Sequence, residues 1–238
     1  MALVTPPGIG ISVFFPCHNE EGALESLTRQ ALHILTSISR DYEVIIVDDG
    51  STDDTAEIAD RLARENEHVR VVRHPVNRGY GAALQSGFRA ATREWVFYTD
   101  GDGQFDITQL PELLPFIPDY DIVTCYRLNR RDPWPRRLNG WAWSKLVGLL
   151  LGLKLRDIDC AFKLYRRAIF DRIQMHSQGA LIDAEILARA RRAGYSMVQY
   201  GVRHLPRASG RSSGGNLKVI LHAFRELIKL RKDILADS

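Results

Sequence analysis

Asp100-Gly101-Asp102 stands directly after the apolar run 95–99, and a glycine lies on each side of the second aspartate. Glycine permits the tight backbone that aims two carboxylates at one point. An all-oxygen pair of this kind suits a hard divalent cation such as Mg2+ or Mn2+, which keeps open positions for phosphate oxygens. Across a diphosphate, such a cation offsets the negative charge that grows as the group departs, and no proton has to move. The competing reading is a pair of turn-forming aspartates. Two further polar clusters bear on that choice. Asp48-Asp49-Gly50-Ser51-Thr52 follows another apolar run. There a carboxylate could accept a hydrogen bond from a nucleobase N–H, or Ser51 or Thr52 could simply cap a helix. Pro16-Cys17-His18-Asn19-Glu20 follows a third run, and Asn19 with Glu20 reads equally well as a helix cap. The loop Asn77-Arg78-Gly79-Tyr80-Gly81 by itself indicates only a turn.

The elements that must position these residues alternate. Buried-strand patterns occupy 11–15, 42–47, 69–73 and 95–99. Between them lie helical patterns over 19–37, 51–66 and from the 77–81 loop to about residue 92. Strand–helix alternation implies right-handed βαβ units and a mostly parallel sheet. Ligands of such sheets bind beyond the carboxyl ends of the strands, where all three clusters fall. The second half is less regular. Strands are predicted at 121–126, 161–165 and 198–205, helices at 141–155, 183–193 and 217–234, and a basic loop at 127–137. No repeat or long linker divides the chain. We divide it into residues 1–206, an α/β domain, and residues 207–238, a Gly/Ser-rich loop followed by a basic amphipathic helix.

Composition narrows the class. The 238 residues are 45% hydrophobic and 26% charged, which is globular rather than disordered. Cys17, Cys125 and Cys160 are odd in number and widely spaced, so neither a disulfide framework nor a zinc site is expected. No run of about 18 apolar residues and no signal-peptide pattern is found, so a cytoplasmic protein without a membrane span is expected. Net charge is +3, yet five arginines stand against Asp132 alone over 127–137, and the tail from Arg203 onward is also basic. That asymmetry suits an anion, although a solvated surface explains any single residue as well. Near-balanced overall charge argues against nucleic acid as a partner.

Taken together these segments resemble glycosyltransferase family 2. ISVFFPCHNEEGAL resembles its opening strand and turn, YEVIIVDDGSTDDT its nucleotide-binding segment, and NRGYGAALQSGFRAA with WVFYTDGDGQFD its third helix and metal motif. Within the family, DIVTCYR, WPRRL, RDIDCAFKLYRR and RASGRS resemble the polyprenol-phosphate (dolichol-phosphate) mannosyltransferase branch. Ala161 stands where that branch usually has glycine, and Ser213 where a lysine often follows. The resemblance implies a GT-A fold: a Rossmann-like α/β architecture with a mostly parallel central sheet flanked by helices, here with a C-terminal amphipathic helix. It implies an inverting, metal-dependent hexosyltransferase, with Pro16, His18, Asn19, Glu20, Asp49 and Gly79 in the nucleotide site. Asp100, Asp102 and Gln104 would hold Mg2+ or Mn2+ and the diphosphate. Arg127, Arg136, Arg207 and Ser212 would gather the acceptor phosphate. Asp159 would lie near the sugar and, with Arg127 and Asp102, at the reacting centre. GDP-mannose is the favoured donor and UDP-glucose the alternative.

A polyprenyl phosphate is already anionic, so its attack needs positioning rather than a general base, and arginines fork onto phosphate oxygens. Asp183 and Glu185 would serve as a base if the acceptor were instead a sugar hydroxyl; otherwise they start a helix. A lipid acceptor requires a membrane surface. In the last helix Leu217, Ile220, Leu221, Phe224, Leu227 and Ile228 share a face, and most of the basic residues occupy the remainder. Such a helix lies at an anionic interface or packs on the core, and the helix carrying Trp141 and Trp143 poses the same alternative. Rival classes are a family member with a soluble acceptor, a nucleotidyltransferase and a non-catalytic nucleotide-binding protein. A nucleotidyltransferase would place a glycine-rich basic loop after the first strand, where this chain has Cys-His-Asn-Glu-Glu.

Overall fold

The computed structural model describes residues 8–128, 134–205 and 217–236, with 134–137, 139, 217–223 and 225 described in backbone only. The apolar runs of the first half become β1 (Gly10–Cys17), β2 (Asp41–Asp48), β3 (Val69–Arg73) and β4 (Trp95–Thr99). Every residue of β1 and β4 is buried, as is all of β2 after Asp41. Strands covered on both faces read as continuous apolar runs, which is why periodicity finds them easily. Between them run α1 (Leu24–Ile38), α2 (Thr55–Glu65) and α3 (Tyr80–Ala90). β5 (Ile122–Leu128), α4 (Trp134–Leu151), β6 (Phe162–Arg166), α5 (Ile169–Arg172), α6 (Ile182–Arg192), β7 (Met197–Arg203) and α7 (Leu217–Ala236) follow.

The seven strands form one sheet in the order β3-β2-β1-β4-β6-β5-β7. β1 pairs in parallel with β2 and β4, β2 with β3, and β5 with β7, whereas β6 lies antiparallel to both β4 and β5. The expected mostly parallel sheet is thus present, with one reversed strand, β6, between β4 and β5. The order doubles back at β1, so the carboxyl ends of β1, β2 and β4 open onto the same side.

Packing behind those ends is dense. Phe14 of β1 meets Phe88 of α3 edge-on, with ring centroids 4.9 Å apart, and Phe88 stacks on Phe170 at 4.0 Å. A Cβ on Gly87 would come within 2.3 Å of the Phe14 ring, so a glycine there lets α3 lie close over β1. Burying each such ring contributes on the order of 2–3 kcal/mol.

Several boundaries differ from the sequence reading. α1 starts at Leu24 rather than at residue 19, because the turn after β1 is committed elsewhere: Asn19 adopts φ 59° and its side chain bonds the turn after β2. α2 starts at Thr55, and neither Ser51 nor Thr52 caps it. A 3-10 segment spans Ile107–Phe116, where Pro111 and Pro115 lack the N–H groups that an α-helix requires. α4 begins at Trp134, so Arg136 and Arg137 belong to a helix and not to a basic loop. Pro135 in the first turn favours that start, since its missing N–H would be unpaired there anyway. On α7, Leu227, Leu230 and Ile234 enter the core beside α4 and α6, whereas Phe224, Ile228 and Leu235 remain exposed.

Candidate active site

The turns after β1 and β2 are laced together. The Asn19 N–H donates to Ser51 Oγ (3.0 Å), and the Thr52 N–H donates back to Asn19 Oδ1 (2.8 Å). The Glu20 N–H donates to Thr55 Oγ1 (2.8 Å), and the Asp54 N–H to the Glu21 carboxylate (3.0 Å). Short polar side chains bonding nearby backbone groups stabilise turns in this way. Asp48 is tied up likewise: it accepts from the Ser51 N–H and from the Arg73 guanidinium.

Asp49, expected to read a base, also organises the protein. Its Oδ1 lies 2.6 Å from His74 Nδ1 and accepts the Arg78 N–H (2.9 Å), while its Oδ2 accepts the Gly79 N–H (2.9 Å). The other ring nitrogen of His74 meets Ser86 Oγ at 2.8 Å. Asp49 therefore fixes the 77–79 loop and the start of α3. Gly79 has φ 95°, a left-handed conformation suited to glycine. Two residues on, a Cβ at Gly81 would come within 2.5 Å of the Gln178 carbonyl carbon, which accounts for the second glycine of the motif.

These turns and the end of β4 enclose a cavity of about 320 Å³ lined by Pro16, Cys17, His18, Glu20, Asp49, Asn77, Tyr80, Ala83, Asp100, Gly101 and Asp102. Four of these are acidic and none is lysine or arginine. Gly101 lies so close to β1 that a Cβ on it would meet Cys17 Sγ at 2.6 Å. The Cys17 thiol is pushed well above its usual range by burial first, then by Glu20, Asp48, Asp100 and Asp102, so it stays neutral and is no nucleophile. Asp100 Oδ1 is buried without a hydrogen-bond partner among the described residues. Burial, followed by the neighbouring charge of Asp102, raises the Asp100 pKa to about 7; Tyr80 and Lys163 oppose that rise. An orphaned carboxylate oxygen beside a second carboxylate fits a cation better than it fits a plain turn. No three His, Cys, Asp or Glu side chains among the described residues converge on one point. A cation bound here would take two protein carboxylates and leave its remaining positions to water and diphosphate.

The family model described as "Glycosyl transferase family 2" matches residues 12–174, which include every wall of this cavity. The chain belongs to glycosyl transferase family 2. Among its relatives, glycosyltransferase AglD of Haloferax volcanii is 32% identical over 98% of this chain and 38% of its own length. The undecaprenyl-phosphate 4-deoxy-4-formamido-L-arabinose transferase of Proteus mirabilis is 30% identical over 94% of this chain and 66% of its own. The chain thus spans 38% and 66% of the two relatives' lengths. Among solved structures, glucosyl-3-phosphoglycerate synthase of Mycobacterium tuberculosis, in complex with Mn2+, UDP and phosphoglyceric acid, superposes with TM-score 0.73 at 21% identity. The match covers 95% of this chain and 78% of that one. The same enzyme with Mg2+ and UDP gives TM-score 0.69. These likenesses establish the GT-A fold.

The structure brings together six of the expected residues of this family member, Pro16, His18, Glu20, Asp49, Asp100 and Asp102, around one cavity. Asn19 and Gly79 support it from behind through the hydrogen bonds above. Gln104 does not line the cavity: its backbone N–H donates to Asp102 Oδ1 (2.9 Å), and its side-chain amide points to the Leu205 carbonyl (3.5 Å). Arg127 is forked by Asp157, with Nε and Nη2 at 2.7 and 2.8 Å from the two carboxylate oxygens. Burial disfavours its charge, but the Asp157 fork more than offsets this and holds the guanidinium firmly protonated. Asp159 is pushed up to about 6 by burial, then by Asp183 and Asp157, against Lys163 and Arg127. Arg207 and Ser212 lie outside the described residues, and Arg136 is described in backbone only, on α4.

Four participants escaped the sequence reading: His74, Tyr80, Asp157 and Lys163. Lys163 carried a usable signal, because a lysine inside the apolar run Phe162-Lys-Leu-Tyr165 must find a buried partner. That partner is Asp183, 2.7 Å away. Glu185 is fully buried, accepts the His176 and Ser177 N–H groups and pairs with Arg189 (2.9 Å). The second acidic pair stands in the first turn of α6, as the helix-start reading expected, but its contacts are buried ion pairs and N–H groups of a neighbouring segment.

Proposed function

We propose that this protein transfers a hexose from a nucleoside-diphosphate sugar to a polyprenyl phosphate, with inversion at the anomeric carbon. The observation that carries the reading is the acidic cavity at the ends of β1, β2 and β4. Four carboxyl-bearing walls without a cationic side chain would repel a diphosphate unless a divalent cation stood between them. Asp100 and Asp102 would hold that cation, and its contribution would be to offset the charge developing on the leaving diphosphate. Pro16, His18, Glu20 and Asp49 would enclose the nucleoside, with the 77–79 loop held shut by Asp49. Arg127 would orient the acceptor phosphate from its Asp157 fork, joined by Arg136, Arg207 and Ser212, and Asp159 would face the sugar. No general base is required, because the attacking phosphate oxygen is already anionic.

A phosphorylated lipid acceptor is supported by the name of the Proteus relative, and a uridine donor by the UDP-bound solved structures. No helix among the described residues is long and apolar enough to cross a membrane. Contact with a bilayer would fall to α4 and α7, which pack together and expose Leu138, Trp141, Leu149, Phe224, Ile228 and Leu235. Aromatic and aliphatic side chains beside Lys229, Arg231 and Lys232 suit an anionic lipid surface.

The test is a donor panel of UDP-glucose and GDP-mannose, each with Mn2+ and a short polyprenyl phosphate, scored for lipid-linked sugar. We expect product with one donor and none after chelation. Turnover undiminished by EDTA would overturn the cation assignment. Sugar appearing only on a soluble hydroxyl acceptor would overturn the lipid-phosphate assignment.

A further inference from the structure

We propose that a second cavity, at the far end of α6 from the acidic one, binds the phosphate group of a phosphate ester through Arg172, Arg189 and Arg192. The site is separate, and the proposal does not rest on the transfer reaction or on the cation.

Three helices build this cavity. α5 ends at Arg172, and the chain turns extended at Ile173, whose side chain is buried. α6 carries Arg189 and Arg192 in its last turn, three residues apart and hence on one face. Ile234 of α7 supplies an apolar wall, and Gln174 a polar one. The volume is about 600 Å³, within the range of small-molecule sites and larger than the acidic cavity. The two cavities share no wall. Asp183 stands in the first turn of α6, in contact with Lys163. At the rise of an α-helix, the last turn lies on the order of 15 Å further along. Arg191 bonds the Gly152 carbonyl just past α4, so this end of α6 lies at the opposite end of α4 from Arg136.

The two cavities have opposite chemistry. The acidic one has four carboxyl-bearing walls and no lysine or arginine; the second has three guanidinium walls and, among its described walls, no carboxylate. Basic side chains in a last turn complement the partial negative charge of a helix end, which accounts for Arg189 or Arg192 taken singly. It does not account for Arg172, which arrives from a helix of only four residues. α5 and α6 also carry Asp171 and Glu185, but neither is a wall. Asp171 is forked by Arg167 at 3.1 and 2.9 Å. Glu185 accepts from Arg189 Nε (2.9 Å) and from two backbone N–H groups. That pair holds Arg189 in place with 8% of its surface exposed, so this guanidinium is a fixed wall and has little freedom to lose when an anion binds. Planar guanidinium groups bond phosphate oxygens in pairs, which a lone surface charge does not. Ile173 and Ile234 would meet the carbon skeleton of the ester. A phospholipid headgroup and a soluble phosphate ester offer the same chemistry, and the experiment separates them.

The first arm titrates the protein with glycerol phosphate, followed by phosphorus NMR line width. EDTA is present, so that the carboxylates of the acidic cavity repel the probe. The second arm sediments the protein with vesicles of phosphatidylcholine, with and without phosphatidylglycerol. The cavity variant is Arg172→Gln with Arg192→Gln. The control is Arg40→Gln with Arg64→Gln, which removes the same charge from exposed positions elsewhere. Both cavity positions are exposed as well, so melting should change little. We expect the cavity variant to bind roughly tenfold more weakly, the loss of about one hydrogen bond to a charged group, and the control to match the wild type. Weakening with glycerol phosphate alone assigns a soluble ester. Weakening with phosphatidylglycerol vesicles, with or without the first effect, assigns a headgroup. A cavity variant equal to the wild type in both arms would overturn the site. So would a control variant weakened as much, or a wild type that binds neither probe. Should the double variant melt early, Arg172→Gln alone is read in its place.

Discussion

Asp100-Gly101-Asp102 and Asp183-Ala184-Glu185 are two acidic pairs of identical spacing, and the fold treats them in opposite ways. The first stands at the end of a strand, faces a cavity and leaves a buried oxygen unpaired. The second stands in the first turn of α6 and faces inward. There Asp183 meets Lys163 and Tyr98, and Glu185 meets Arg189 and two backbone N–H groups. Spacing is thus no guide to role. A carboxylate whose contacts are complete is part of the framework, and one left incomplete beside open space is available to a ligand.

The sharpest way to break this comparison is Asp183→Ala. It leaves the Lys163 ammonium buried without its counter-charge, which costs about 3–5 kcal/mol. The urea midpoint should drop accordingly, or the protein should fail to fold; an unchanged midpoint would place Asp183 outside the framework. Asp102→Asn should do the reverse. Folding should be kept, and sugar transfer should fall roughly 10²–10³-fold, the usual loss when one group stabilising transition-state charge is removed. Near-normal transfer would return the first pair to the status of a turn.

Asp100→Asn gives the smallest and most diagnostic effect. The Asp100 pKa is raised to about 7 by burial and Asp102. Below pH of about 4 the carboxyl is protonated in both folded and unfolded chains and contributes nothing. Between there and pH 7 the unfolded chain ionises while the folded one keeps its proton, so metal-free stability is lost as pH rises, and it levels off above. Asp100→Asn should therefore melt higher than the wild type at pH 8 without metal and similarly at pH 4. A variant that melts lower at pH 8 would show that the carboxylate stabilises the metal-free fold.

The first half of the chain was legible in the sequence for local reasons. β1, β2 and β4 are covered on both faces and so appear as unbroken apolar runs, and each ends in a turn whose polar residues are adjacent in the chain. The clusters that hold Pro16, His18, Glu20, Asp49, Asp100 and Asp102 could be placed together because a parallel sheet delivers its strand ends to one edge, and the family resemblance then implied which of their residues to name. The second half yielded less. β6 reverses direction, α4 starts earlier than its apolar stretch, and Arg127 is claimed by Asp157, thirty residues away.

By itself, then, the amino-acid order determined the strands, the three polar turns and the family, since all of these depend on contiguous patterns. Only the tertiary structure decided which carboxylates are spoken for. The reversed β6 sets Lys163 opposite Tyr98, α6 supplies Asp183 to the same face, and Asp49 turns out to clamp a loop through His74 and two backbone N–H groups. Those choices depend on strand register and helix placement across the sheet, and a buried charge finds its partner through space rather than along the chain.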